Sequence, residues 1–104
     1  MAQSFRTAQR PSDAYCQALY QLIREALMSH HTSGALRIHK SGIANKVSHR
    51  IRQLKKRNQW AFGDVPSDLT IYRRIEELAE QGEFVQGIRK GSGWYRVNPE
   101  LFQK

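Results

Sequence analysis

Eight lysines and arginines fall between Glu25 and Asp64 with no carboxylate among them: Arg37, Lys40, Lys46, Arg50, Arg52, Lys55, Lys56 and Arg57. The four histidines, His30, His31, His39 and His49, lie in the same stretch. Nothing inside it neutralises those charges, so its surface carries a positive potential that attracts a polyanion. Binding would strengthen below roughly pH 6.5 as the histidines take up protons. A second basic group follows at Arg89 and Lys90, beside the flexible run Gly91-Ser92-Gly93. Glycines there let the backbone approach a phosphate and Ser92 adds a hydroxyl, although a tight loop needs glycine in any case.

Catalysis and metal binding find less support. The carboxylates show no nucleophile–base spacing, and the Gly-Ser-Gly run opens no helix as a phosphate loop would. His30 and His31 are adjacent, His39 and His49 stand apart, and the single cysteine, Cys16, has no Cys-x-x-Cys partner. Zinc sites in small domains pair their ligands more closely than this. No enzyme activity, metal or cofactor is therefore expected.

The elements that must position the basic groups follow from periodicity. The first predicted helix covers 12–28, with Ser12 as its N-cap. Ala14, Tyr15, Ala18, Leu19, Leu22, Ile23, Ala26 and Leu27 recur at helical spacing, a stripe wider than one packing face needs. Either this helix is the central strut of the domain or one flank meets a second copy of the chain. A loop is expected over 29–34, and Leu36-Arg37-Ile38-His39 alternates like a short strand. The second helix, 41–57, has a narrow apolar stripe of Ile43, Val47, Ile51 and Leu54. Lys46, Arg50 and Arg57 border that stripe, and Lys40 with Ser41 stands at the helix N-terminus, a favourable phosphate site. In the loop over 58–66, Trp60 and Phe62 are expected to tuck into the core.

The third helix, 67–81, is capped by Ser67 or Asp68 and buries Ile71, Ile75, Leu78 and Ala79. Gly82 ends it in the left-handed position. Leu69, Thr70, Arg73 and Glu77 lie opposite the buried face, with Tyr72 and Arg74 on the flanks. Residues 84–88 and 94–97 form a hairpin across the basic tip. Trp94 and Tyr95 read as core or strand-face residues, with base stacking as the alternative.

The run from Pro66 through Thr70, Arg73 and Leu78 to Gly82 and Val85 resembles the recognition helix of winged helix-turn-helix DNA-binding domains. In that superfamily a pattern small-x-x-Thr-aliphatic-x-Arg-x-aliphatic-x-x-Leu-x-x-x-Gly leads into the wing hairpin, here 84–97. The resemblance implies an α+β fold of three helices, a short strand and a C-terminal two-stranded wing. It departs from the common pattern in the long connection over 58–66 and in the strongly basic second helix. It also implies that the third helix enters the major groove N-terminus first, holding Glu76, Glu77 and Glu80 away from phosphates. Arg73 would then meet guanine and Thr70 a phosphate or a thymine methyl. Arg73 pairing with Glu77 inside the helix is the alternative.

The expected DNA-contacting set is Lys40, Ser41, Lys46, Arg50, Arg57, Ser67, Thr70, Tyr72, Arg73, Arg74, Arg89, Lys90 and Ser92. The expected use is transcriptional regulation or another site-specific role on double-stranded DNA. Structured RNA is one rival partner, and a protein-interaction role within a nucleoprotein or replication assembly is another.

Size and composition set the outer limits. With 104 residues and a net charge of +8, the chain holds one domain, expected over 12–98. A basic arm over 1–11 precedes it, either a solvated tail or a minor-groove arm, and a tail over 99–104 follows. No apolar run approaches the length of a membrane span, and the N-terminus lacks the apolar centre of a secretory signal. One cysteine fits a reducing compartment, so cytoplasm or nucleoid is expected.

Overall fold

The computed structural model describes residues 13–32, 34, 37–82, 84–89 and 91–98. The expected arm, the Ser12 cap, Lys90 and the tail lie outside the described residues. The elements are α1 (Asp13–Thr32), β1 (Ile38–His39), α2 (Lys40–Lys56), α3 (Asp68–Gln81), β2 (Val85–Gly87) and β3 (Trp94–Val97). They form an α+β domain in which three helices pack with a three-stranded antiparallel sheet of order β1-β3-β2.

Helix α1 reaches Thr32, past the expected end at 28. Its last turn carries His30 and His31, which suit the negative helix C-terminus. His30 Nε2 lies 2.8 Å from the Arg37 carbonyl oxygen, which ties this end to the approach to β1. Most of the wide apolar stripe of α1 is buried within one chain, while Ala14 at its start is exposed. Leu19, Leu22, Ile23, Ala26 and Leu27 are buried, and α1 packs against α2, α3 and β3 at once. A helix with neighbours on three sides needs a stripe of that width.

Around this strut the core gathers Ile43, Ala44, Val47 and Ile51 of α2, Ile71, Ile75 and Leu78 of α3, and Ile38, Val85 and Val97 of the sheet. Tyr15 packs on Trp60 and Phe62, so the 58–66 connection is held to the N-terminal half of α1. The Trp60 indole N–H is buried with no acceptor among the described residues.

Helix α3 begins where Ser67 Oγ accepts the Thr70 N–H and ends at Gly82 with φ 73°. Asn98, buried at the end of β3, donates to the Gly82 carbonyl and accepts from Gln86. The helix therefore hands the chain to the hairpin through a fixed joint, which sets where the hairpin tip falls.

Ile23 lies at the centre of the packing, whereas Leu69 on α3 is 70% exposed. Ile23→Ala should cost about 2–5 kcal/mol and Leu69→Ala less than about 0.5 kcal/mol, measured by urea unfolding. A similar loss for both would contradict this assignment of the core.

Candidate nucleic-acid interface

The basic groups nearest one another meet where α2 begins and the hairpin ends. Strands β1 and β3 pair with Ile38 opposite Tyr95 and His39 opposite Trp94. One residue further on, the Lys40 N–H donates to the Gly93 carbonyl over 2.7 Å. The N-terminus of α2 and the hairpin tip are thus one structural unit, although more than fifty residues separate them in sequence.

His39 caps α2. Its Nδ1 accepts the Ser41 N–H over 3.2 Å, which places the ring proton on Nε2. The same ring meets Trp94 edge-on with centroids 5.2 Å apart. Gly93 has φ 80°, and a Cβ there would stand 2.8 Å from His39 Nε2. A larger residue there would push the His39 ring aside and would strain the left-handed backbone.

The two helix N-termini differ in electrostatics. Helix α3 has Asp68 in its first turn, so its positive end is already matched by a carboxylate. Helix α2 has no acid there, so no carboxylate offsets its positive end or the Lys40 ammonium. Lys40 Nζ sits 4.7 Å from the centre of the Tyr72 ring, which carries the charge across to α3.

On α3 the outward face runs Leu69, Arg73, Glu76 and Glu80, all exposed. Its N-terminal half is apolar and cationic, and its C-terminal half is acidic. Ser67 and Thr70 mark the start of the helix, where their hydroxyls share a 3.1 Å hydrogen bond. At the hairpin, Arg89 is exposed. Ser92 Oγ accepts the Trp94 N–H, leaving its own proton free to donate.

Four expected contacts, Arg74, Lys46, Arg50 and Arg57, are not at this surface. Arg74 faces α1, with its side chain 11% exposed. It donates to Glu77 Oε2 over 2.9 Å and to Cys16 Sγ over 3.3 Å. Its Nε also lies 2.9 Å from Glu77 Oε1, an ionic contact without hydrogen-bond alignment. Glu77, expected on the outward face, is held on this inner edge by Arg74 and Tyr20. Arg73 is therefore not the partner of Glu77.

Lys46 and Arg50 occupy the other border of α2. With His49 and Gln53 they line a groove shared with Leu22, Glu25, Ala26 and Ser29 of α1. Lys46 is turned about 120° around the helix from Lys40, at 3.6 residues per turn. Arg57 is exposed at the far end of α2, about 25 Å from Lys40 at 1.5 Å per residue. The basic stretch thus splits into a cluster at the hairpin junction and separate charges elsewhere.

The histidines are dispersed among these features, and no three His, Cys, Asp or Glu side chains converge among the described residues. No helix among them is long and apolar enough to cross a membrane. Comparison of the chain with protein-family models, curated proteins and solved structures gave no match.

Two groups at the junction are outside the expected set: Arg37, whose guanidinium lies 5.1 Å from the Trp94 ring centre, and Trp94 itself, 38% exposed. The alternation of Leu36 to His39 places Arg37 and His39 on one strand face. That Trp94 joins them depends on β1–β3 pairing, which no local pattern specifies.

The Tyr20 hydroxyl donates to Glu77 over 2.5 Å. Burial first, and then the hydrogen bond to that carboxylate, push its pKa up to about 12 from an ordinary 10. Both effects favour the protonated phenol in the folded state. Its stabilising contribution is therefore full below pH 10 and is lost as pH rises towards about 12. The stability advantage of the wild type over Tyr20→Phe should shrink across that window in urea melts. An advantage independent of pH would contradict the linkage.

Proposed function

We propose that this chain is a winged helix-turn-helix domain that binds double-stranded DNA at preferred sites. The observation that carries the reading is the joining of the α2 N-terminus, which has no acid in its first turn, to the basic hairpin through Lys40 and Gly93, with Arg73 exposed on α3. A groove-reading helix needs phosphate anchors beside it to fix its register. Lys40 and Ser41, with Arg89 and Ser92 of the hairpin joined to them through Gly93, supply those anchors.

Within that frame α3 enters the major groove by its N-terminal half. Arg73 takes guanine O6 and N7. Leu69, one turn earlier and 70% exposed, takes a thymine methyl, which gives that apolar side chain a purpose on an otherwise polar surface. Ser67 and Thr70 stand at the groove edge, and Tyr72 acts by holding Lys40. Glu76 and Glu80 point out of the groove. Arg74 acts in the fold, bracing α3 against α1. Lys46, Arg50 and Arg57 add long-range attraction rather than contacts at this surface. A duplex also suits the outward helix better than RNA, because the A-form major groove excludes an α-helix.

The test is fluorescence anisotropy with a labelled duplex of about 30 base pairs over a salt series. Binding should weaken with salt by about 0.9 log units per log unit for each phosphate neutralised. Lys40→Ala should weaken binding on all sequences and lower that slope by about 1, whereas Arg73→Ala should cost about 1–3 kcal/mol on a selected site and relax its preference. Arg74→Ala should leave affinity unchanged while lowering stability. Weak, salt-insensitive binding, or equal losses from Arg73→Ala and Arg74→Ala, would contradict the reading.

A further inference from the structure

The sheet has a face turned away from the core, and it is not evenly polar. His39, Trp94 and Ile88 share that face: His39 pairs with Trp94 across β1–β3, and the Ile88 N–H donates to the Trp94 carbonyl across the hairpin. Trp94 is 38% and Ile88 42% exposed, and with Leu69 they are the large apolar side chains left open on the described surface. Together with Arg37, Arg89 and Ser92 they line a cleft of about 440 Å³. That volume lies within the range of small-ligand sites, roughly 300–1,000 Å³.

The lining has a specific chemistry. It offers a flat indole and a branched aliphatic side chain, flanked by two guanidiniums and a hydroxyl. Neither Arg37 nor Arg89 has an acidic partner among the described residues. The indole is also fixed in place: the His39 ring abuts it, and Gly93 admits that ring at a distance no larger residue would allow. A half-exposed tryptophan held by an edge-on imidazole, with the Arg37 guanidinium 5.1 Å from its ring centre, is already ordered. A base stacking on it while Arg37 turns to the phosphate therefore meets little further ordering cost.

We propose that this cleft takes an unpaired nucleotide, its base stacked on Trp94 beside Ile88 and its phosphates held by Arg37 and Arg89. A nucleotide is the ligand that satisfies both halves of the lining. An acidic peptide would meet the guanidiniums and leave the indole and Ile88 in water. The inference rests on the nucleic-acid reading above and extends it. The cleft lies at the hairpin tip beside the proposed duplex surface, so the chain would favour a duplex that ends in, or opens into, a single strand.

The experiment has two arms. In the first, tryptophan fluorescence is followed as a ten-nucleotide oligothymidylate is added, with an abasic oligomer of equal charge as control. Stacking should quench the wild type with the oligothymidylate only, and the quench should be absent from Trp94→Phe, which keeps a stacking ring but removes the reporter. In the second, blunt duplex is compared with the same duplex carrying a three-nucleotide overhang. The overhang should improve affinity about fivefold or more, the scale of one stacked base. Trp94→Ala should remove that gain, bringing overhang and blunt duplex to equal affinity, and Trp94→Phe should restore most of it. Equal response to thymidylate and abasic oligomers, or no overhang preference, would overturn the proposal. Blunt binding without quenching sinks the cleft alone. Quenching without blunt binding sinks the duplex reading and leaves the cleft standing.

Discussion

The hydrogen bond from the Lys40 N–H to the Gly93 carbonyl, with the two-residue β1–β3 ladder beside it, governs the geometry of the basic surface. Strand β1 is only two residues long and contributes little pairing of its own. Its importance is positional. It docks the first turn of α2 onto the turn of a hairpin formed at the other end of the chain. Were it unpaired, the α2 N-terminus, Arg37 and the hairpin cations would belong to independently moving parts. The His39 ring and Gly93 interlock at this joint so closely that neither tolerates much change. A second joint, Asn98 to the Gly82 carbonyl, fixes the hairpin relative to α3. With both ends held, the orientation of the hairpin tip against α2 and α3 is determined.

Charge is sorted by the same packing. On the α1-facing edge of α3, Arg74 and Glu77 satisfy each other and anchor Tyr20 and Cys16. A cation placed there neutralises the Glu77 carboxylate and is itself turned away from solvent. On the opposite edge, Tyr72 receives Lys40 across its ring, with no carboxylate involved. Two neighbouring residues, Arg73 and Arg74, thus have unrelated tasks because one helical step turns them about 100° apart. The proposed duplex surface uses the first and depends on the second only for the stability of α3.

The local parts of this arrangement were legible in the sequence. Ser67 and Gly82 bracket α3 as their chemistry requires, and the apolar spacing of α2 and α3 gives their buried faces. The order of helices, short strand and hairpin also follows from periodicity and turn residues. What escaped was set by distant contacts. The 29–32 segment has no apolar repeat, yet it continues α1 because the His30 ring meets the Arg37 carbonyl. Arg74 looked like a flank residue of a reading helix because its partner Cys16, and the Tyr20 that holds Glu77 beside it, lie more than fifty positions away. Lys46 and Arg50 shared a helical edge with nothing to say that the edge borders α1. Trp94 belongs to an outward sheet face only once β1 is paired with β3.

The proposed duplex surface is contiguous, made by the α2 N-terminus, the outward face of α3 and the hairpin tip. The most direct measurement is backbone amide chemical-shift mapping of the ¹⁵N-labelled protein titrated with a duplex. The account predicts the largest shifts at Lys40, Ser41, Leu69, Arg73, Arg89 and Ser92, with Lys46, Arg50 and Arg74 little changed. Shifts concentrated along the α1–α2 groove, or none at saturating duplex, would contradict it.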